Sequence, residues 1–339
     1  MPGNTNPIIA LYPGDPTGIG PEQTARILAE NLVGDAARIL LVGDARIVAM
    51  GARQIGVDLP IARVASVRDA DWDAPAIPII DLANQDPAAV VQGAPDAEVG
   101  RVVGDTLKAA IDLARAGEVD AITFAPLNKM ALFEGGWRFP DEHQLFANLL
   151  GHTGPFSEMN VLDEWWMGRV TSHMSLREAI DGVTPDRVRF ALRLVDATLR
   201  RAGVERPRIA VAALNPHAGE GGLFGTEEIE IIRPAVEEVA AEGIACDGPF
   251  PSDTIYLKAF AGDYDSVLAM YHDQGQIATK LRGFNRGVTV TAGLDTVFTT
   301  PAHGTAYDIV GRGIADIGAL ERAVRLAARL ATSHESVAA

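Results

Sequence analysis

The sequence predicts an α/β fold built on a largely parallel sheet, and three observations support this prediction. Short apolar, β-branched runs alternate along the chain with longer stretches that have the period of amphipathic helices. The apolar runs are continuous, which is typical of parallel strands covered on both faces. Hydrophobic residues make up 47% of the chain and charged residues 22%, so the composition allows a large core.

The predicted elements follow this alternation from one end of the chain to the other. The predicted strands are Ile8–Tyr12, Ile39–Val42, Ala121–Phe124, Arg208–Leu214, Ser266–Tyr271 and Gly287–Ala292. The predicted helices include Pro21–Asn31, Val99–Ala116, Pro185–Ala202, Thr226–Glu242 and Gly318–Thr332. Prolines mark two of these boundaries, because Pro185 opens a helix and Pro207 precedes a strand.

Composition and charge exclude several classes of function. Lys and Arg number 29 against 45 Asp and Glu, and a net charge of -16 disfavours a nucleic-acid binder. No apolar run approaches the ~20 residues of a spanning helix, and the first residues lack a signal peptide, so we expect a soluble, cytoplasmic protein. Cys246 is the single cysteine, which leaves His, Asp and Glu as the ligands for any metal ion.

Three histidines follow, or end, predicted strands. His173 follows the apolar run Met167–Ser172, His217 lies in NPHAGE and His272 lies in YHDQG. Ligands of open α/β sheets bind beyond the carboxyl ends of the strands, where three imidazoles would leave coordination positions open for a substrate. The ordinary alternative is that each histidine is a polar loop residue, and no short local motif decides between the two.

Two glycine-rich segments are candidates for ligand binding. Gly14–Glu22 follows a strand and opens a helix, where glycine permits close backbone approach and the helix N-terminus favours anions. It is not the GxGxxG fingerprint, so a standard Rossmann domain is not predicted. The second segment, residues 280–313, begins with a cluster of basic residues in an otherwise acidic chain, Lys280, Arg282 and Arg286, and continues to the loop His303–Asp308. The simpler interpretation is that Gly14–Glu22 is only a tight turn, that the basic residues form a solvated face and that His303–Asp308 is an ordinary loop.

One stiff turn and one tryptophan pair complete the motifs. Gly248–Thr254 presents the carboxylate of Asp253, which is either a proton-transfer group or the cap of the following helix. The pair Trp165-Trp166 is more typical of a core or an interface than of a site.

Taken together, these segments resemble the 4-hydroxythreonine-4-phosphate dehydrogenase (PdxA) family of the isocitrate/isopropylmalate dehydrogenase-like group. The resemblance covers nearly the whole chain and rests on several long motifs in the same order. They are Gly14–Glu22, NPHAGEGG with GTEE, Gly248–Thr254, YHDQG with Lys280, and His303–Asp308. It implies two α/β domains with a cleft between them, at residues 1–127 plus 280–339 and residues 128–279. It also implies a homodimer whose active site lies at the subunit interface.

The resemblance assigns roles to individual residues. It implies that His173, His217 and His272 bind one divalent metal ion, with one ligand from the partner subunit; zinc is expected, and magnesium, manganese or cobalt are alternatives. Lys280 matches a substrate-binding lysine that also stabilises an enolate, and Asp253 matches an active-site carboxylate. The NAD or NADP site is expected at Gly14, His303, Gly304, Thr305 and Asp308.

The substrate pocket departs from the family pattern. Where the family has a Gly-His-Thr-Glu motif, a gapless match places Asp141, Glu142, His143 and Gln144 instead. The family's substrate-binding asparagine falls at Thr289 and its arginine at Phe298, which removes a bidentate anion clamp. Arg286 persists, so weakened anion binding is expected.

Three functions therefore remain open. The first is oxidation and decarboxylation of 4-phosphooxy-threonine or a related phosphorylated sugar acid. The second is dehydrogenation of a non-phosphorylated cis-dihydrodiol carboxylate of the terephthalate type, which the run LFANLLG and Phe298 favour. The third is a non-catalytic ligand-binding protein on the same scaffold, which the retained histidines disfavour.

Overall fold

The computed structural model describes residues 6–283 and 286–332, and the chain divides into two compact units. Unit 1 comprises Met1–Thr153 and Leu294–Ala339, and unit 2 comprises Gly154–Gly293. These boundaries fall later than the predicted domain boundaries after residues 127 and 279. The reason at the first boundary is that helices 129–134 and 142–150 pack against helix Ala97–Arg115 of unit 1.

Unit 1 is an α/β unit with parallel strand pairs only, among the residues that are described. Its strands are β1 (Ile8–Tyr12), β2 (Arg38–Gly43), β3 (Ile61–Arg63), β4 (Ile77–Asp81), β5 (Ala121–Phe124) and β12 (Val297–Pro301). They run in the order β3-β4-β2-β1-β5-β12. Its helices are α1 (Gly20–Ala29), α2 (Ala45–Gln54), α3 (Ala97–Arg115), α4 (Lys129–Glu134), α5 (Glu142–Leu150) and α11 (Gly318–Thr332).

Unit 2 combines antiparallel and parallel pairing. Its strands are β6 (Ser157–Leu162), β7 (Trp165–Arg169), β8 (Ile209–Ala212), β9 (Cys246–Phe250), β10 (Ser266–Ala269) and β11 (Gly287–Ala292). The order is β11-β6-β7-β10-β8-β9, with β11, β6 and β7 antiparallel and β7 to β9 parallel. Its helices are α6 (Leu176–Asp181), α7 (Pro185–Arg201), α8 (Arg233–Ala241), α9 (Ser252–Phe260) and α10 (His272–Gly283).

Local sequence explains where these elements begin and end. The carboxylate of Asp96 accepts hydrogen bonds from two backbone N–H groups and caps α3, and Asp141 caps α5 in the same way. Gly151 ends α5 in the left-handed conformation that glycine adopts most readily. The predicted helix Thr226–Glu242 is in fact divided. A π-helical turn, Glu228–Ile232, precedes α8, because Pro234 in the first turn of α8 has no N–H to continue the earlier ladder.

The α/β prediction is confirmed, and the predicted strands and helices are present with shifted ends. The strand expected at Arg208–Leu214 ends at Ala212, because the N–H groups of Leu214 and Asn215 donate to a buried carboxylate described below. Trp166 is fully buried in β7, as a core position requires. Among the described residues, no helix is long and apolar enough to cross a membrane.

Candidate metal and substrate site

Three neighbouring parallel strands of unit 2 lead to the three predicted metal ligands. Strands β7, β10 and β8 lie side by side and run in the same direction. His173 follows β7 by four residues, His272 follows β10 by three and His217 follows β8 by five. The fold therefore brings all three histidines to the carboxyl edge of one sheet, where α/β proteins bind ligands. We call these three residues and the loops that carry them the histidine edge.

The backbone at the histidine edge is strained. His173 has φ 48° and His217 has φ 53°, which is the left-handed region that residues with a side chain seldom occupy. Ala218 and Glu220, beside His217, also have positive φ values. Such conformations persist only where the surrounding structure enforces them, and they concentrate at functional sites.

Two of the three histidines line one pocket. The ring centroids of His173 and His272 lie 5.6 Å apart, and both residues line a pocket of about 190 Å³. His217 lies on a separate loop, with its ring 6.2 Å from that of Phe224. Within the described part of the chain, no three His, Cys, Asp or Glu side chains are placed to hold a metal ion by themselves. Imidazole nitrogens are common ligands of divalent ions, so the three side chains have the right chemistry for a metal site. Their positions in one chain do not by themselves form a complete site.

Strand β6 adds polar groups beside His173 that were not predicted. Glu158 Oε2 lies 3.6 Å from His173 Nε2, and Glu158 Oε1 lies 3.4 Å from the buried guanidinium of Arg169. Asn160 accepts a hydrogen bond from the same guanidinium. Burial lowers the pKa of Arg169, and the charge of Glu158 opposes that shift. The available signal was the alternation of polar and apolar residues in SEMNVL, which is typical of a strand with one polar face.

One face of α10 lies over these groups. His272, Gln276 and Lys280 are spaced by four residues and therefore share a face of the helix. Gln276 donates a hydrogen bond of 2.8 Å to Asn160, and Asn160 in turn donates one of 3.1 Å to Thr289. The predicted substrate residues Lys280 and Thr289 thus belong to the same region of unit 2 as His272.

Two further predicted residues have other surroundings. Arg286 makes a half-exposed ion pair of 2.9 Å with Asp163. Asp253 is exposed in the first turn of α9, where its charge complements the helix dipole. It is not the N-cap residue, because that position is Pro251.

Phe298 lies in the core of unit 1. Its ring is 1% exposed and stacks on Phe146 at 4.2 Å, and Phe146 meets Phe124 edge-on at 5.5 Å. His143 packs edge-on against Phe146 at 6.3 Å. We call these four residues the aromatic cluster. Phe298, which was expected in the substrate pocket, is therefore a packed core residue with no polar group to offer a substrate.

The other predicted pocket residues of unit 1 are buried next to the aromatic cluster. Glu142 is almost fully buried and makes an ion pair of 3.0 Å with the half-exposed Lys129. His143 Nε2 lies 3.8 Å from the other oxygen of Glu142. The negative charge of the Glu142 carboxylate is thus balanced by the ammonium group of Lys129.

The two glycine-rich segments of unit 1 meet although about 285 residues separate them. Ile19 N donates to Thr305 O at 3.1 Å, and Gln23 Nε2 lies 3.4 Å from His303 Nε2. A Cβ at Gly14 would come within 2.6 Å of the carbonyl oxygens of Ala125 and Pro126, so glycine is required there by packing. Gly304 and Asp308, by contrast, are exposed.

Comparisons with known proteins agree with this arrangement. Residues 35–327 match the family described as pyridoxal phosphate biosynthetic protein PdxA. A Rhizobium meliloti protein, provisionally assigned as 4-hydroxythreonine-4-phosphate dehydrogenase 2, is 47% identical over 98% of this chain and 96% of its own length. The D-threonate 4-phosphate dehydrogenase of Cupriavidus necator is 41% identical over 96% of this chain and 98% of its own length.

Solved structures extend the similarity to the fold. A 4-hydroxythreonine-4-phosphate dehydrogenase from Burkholderia phymatum has 39% identity and a TM-score of 0.81, covering 96% of this chain and 99% of its own. A terephthalate 1,2-cis-dihydrodioldehydrogenase from Burkholderia xenovorans has 30% identity and a TM-score of 0.65, covering 95% and 98%. These relatives are dehydrogenases, which makes this chain an oxidoreductase, and it belongs to the PdxA family.

Proposed function

We propose that this chain is an NAD- and divalent-metal-dependent dehydrogenase that oxidises a β-hydroxy acid and decarboxylates the product. The observation that carries the proposal is the histidine edge, where three parallel strands deliver three imidazoles to one end of a sheet. Membership of a dehydrogenase family supports the reaction type.

His173, His217 and His272 would hold the metal ion, and zinc suits an all-imidazole donor set best. When bound, the ion supplies polarisation of the substrate oxygens, and NAD or NADP supplies the hydride acceptor. Lys280 shares its helix face with His272, so its ammonium group can stabilise the negative charge that develops when CO₂ leaves. Asp253 is the candidate for moving the hydroxyl proton, since it is exposed and carries no tight ion pair in the described structure.

The proposed substrate is a hydroxy acid with a terminal phosphate, such as 4-phosphooxy-threonine or a phosphorylated sugar acid. The relatives named for D-threonate 4-phosphate and 4-hydroxythreonine 4-phosphate support this class. Thr289, Arg286 and Lys280 are the proposed contacts with this substrate.

A non-phosphorylated diol carboxylate is the second candidate substrate. It is favoured by the burial of Phe298, which leaves no guanidinium where the family has its arginine. The pairing of Arg286 with Asp163 favours it too, because that ion pair reduces the cationic charge available to a phosphate. The terephthalate-type relative is an example of such an enzyme by name.

The proposed cofactor site is the region of unit 1 where the turn containing Gly14 meets the loop His303–Asp308. The hydrogen bonds between the two segments hold this loop against the start of α1, whose N-terminus favours phosphate groups. His303, Gly304, Thr305 and Asp308 would receive the adenosine end of the cofactor.

We also propose a homodimer that completes the metal site with one histidine from the partner subunit. The incomplete grouping of ligands within one described chain supports this. So do the exposed apolar side chains beside each histidine, which are Met174, Leu223, Phe224, Ile277 and Leu281.

The test is NADH formation by the purified protein with each of three substrates: 4-phosphooxy-threonine, D-threonate 4-phosphate and terephthalate dihydrodiol. Activity should vanish with EDTA and return with zinc, and the preferred substrate decides between the two candidates. His217→Ala should abolish turnover and metal binding, while His152→Ala serves as the matched control. Metal-independent activity, or full activity of His217→Ala, would refute the proposed site.

A further inference from the structure

The loop that carries His217 has an unusual backbone. Six successive residues have positive φ values: His217, Ala218, Gly219, Glu220, Gly221 and Gly222. Three of them carry a side chain, and each such residue in the left-handed region costs about 1–2 kcal/mol. A run of this kind does not persist without groups that hold it in place.

Glu228 is the principal group that holds the entrance to this loop. Its side chain is fully buried, and Oε1 accepts hydrogen bonds from Leu214 N at 2.8 Å and Asn215 N at 2.7 Å. Oε2 accepts a third bond from Asn215 Nδ2 at 3.0 Å. Hydrogen bonds to a charged acceptor are stronger than neutral ones, and a buried carboxylate requires them. The carboxylate therefore fixes the backbone two residues before His217.

The loop also closes over the same carboxylate. A Cβ at Gly219 would lie 2.8 Å from Glu228 Oε2 and 3.0 Å from Gly225 O. Only glycine allows the left-handed turn to approach Glu228 this closely. The hydrogen bonds at Leu214 and Asn215 and the contact at Gly219 thus fix the backbone before and after the exposed His217.

A half-buried side chain joins the strand before this loop to the neighbouring strand of the sheet. Gln274 donates a hydrogen bond of 2.7 Å to Ala213 O and accepts one of 2.7 Å from Met270 N. Its amide therefore joins the end of β8 to the end of β10, after which His272 begins α10. With the strand ends joined, Glu228 controls where His217 stands relative to His272.

We infer that Glu228 is a positioning residue that sets His217 for metal binding, acting through the backbone of Leu214 and Asn215. The inference rests on the proposed function, since it takes His217 as a metal ligand. Glu228 is not itself proposed as a metal ligand. Its two carboxylate oxygens accept hydrogen bonds from Leu214 and Asn215, and its side chain is fully buried.

The test is the isosteric change Glu228→Gln, which replaces one acceptor oxygen by an amide donor that faces donors of the loop. Zinc affinity, measured by competition with a chromogenic chelator, should fall about 10- to 100-fold, as it does when an outer partner of a ligand is lost. The KM for NAD should not change, because the proposed cofactor site lies in unit 1. Glu237→Gln is the matched control, since Glu237 is exposed on α8.

A second variant reaches the same contact from the loop side. Gly219→Ala pushes a methyl group against Glu228 and should lower zinc affinity in the same range, and it decides the matter if Glu228→Gln does not fold. The double variant should bind zinc no more weakly than the weaker single variant. Wild-type affinity in a folded Glu228→Gln protein would overturn the inference. His217→Ala distinguishes the two failures: if it also keeps wild-type affinity, the proposed metal site itself is wrong.

Discussion

The histidine edge of unit 2 and the aromatic cluster of unit 1 hold their side chains in opposite ways. At the histidine edge, strained loops are fixed by hydrogen bonds to polar groups, namely the buried Glu228 and the half-buried Gln274. In the aromatic cluster, Phe298 and Phe146 are buried and stacked, with no strained backbone at either residue. The first region has the strained, hydrogen-bonded backbone that is common at functional sites, and the second is packed in the way of a hydrophobic core.

Removing a histidine tests this comparison most strongly. We expect His272→Ala to lower turnover on the order of a thousandfold, because a lost metal ion removes several kcal/mol of transition-state stabilisation. The free energy of unfolding of the metal-free protein should change by less than about 0.5 kcal/mol, because the side chain is about one-third exposed. Steady-state kinetics and urea denaturation measure the two quantities. A large loss of stability would show that the edge is structural.

The reverse result is expected in the aromatic cluster. Phe298→Ala should lower the free energy of unfolding by about 3–5 kcal/mol, because it removes a fully buried stacked ring. Zinc affinity per folded molecule should stay at the wild-type value. Phe133→Ala is the control, since Phe133 is half-exposed on α4 and its loss should cost far less. If Phe298→Ala lost zinc binding while remaining folded, the two regions would be coupled.

The two regions also differ in how much of them follows from sequence. The sequence predicts that the histidines lie at one edge, because each lies beyond an apolar run and parallel strands bring such positions together. Their expected role as metal ligands came from the family resemblance. Glu158 and Glu228 were missed, because a carboxylate that bonds across strands or to a distant backbone leaves no periodic signal. Strands β3, β4, β6, β9 and β12 were missed for a related reason: their identity depends on their neighbours in the sheet. Burial of Phe298 was likewise not predictable, since stacking on Phe146 brings together residues about 150 positions apart.

The ion pair beside the aromatic cluster should give an intermediate effect. Lys129→Met leaves the buried Glu142 carboxylate without its 3.0 Å partner and should lower the free energy of unfolding by about 1–3 kcal/mol. Lys108→Met is the matched control, because the pair of Lys108 with Asp112 is exposed and worth less than about 0.5 kcal/mol. Urea denaturation of both variants makes the comparison. Equal losses of unfolding free energy in the two variants would show that the buried pair of Glu142 with Lys129 stabilises the fold no more than an exposed pair does.

Asp15 is a buried carboxyl group of unit 1 whose charge is expected to lower the free energy of unfolding at neutral pH. Burial raises the pKa of the Asp15 carboxyl, against hydrogen bonds from Thr17 that lower it. Because the folded state binds the proton more tightly than the unfolded state, this carboxyl favours folding at low pH. That contribution is lost as the pH rises from the ordinary value of 3.8 through the raised pKa.

Asp15→Asn should therefore be slightly more stable than the wild type at pH 7. The amide keeps the oxygen that accepts hydrogen bonds from Thr17 N and Oγ1 at 2.8 and 2.6 Å, and it removes a charge that burial disfavours. The difference, measured by urea denaturation across pH, should shrink as the pH falls toward 4, whereas Asp58→Asn on the surface should show no such trend. If Asp15→Asn were less stable at pH 7, the charged carboxylate would be favoured by a contact that outweighs its burial. The turn at Asp15 would then belong with the aromatic cluster as a stabilising region rather than with the histidine edge.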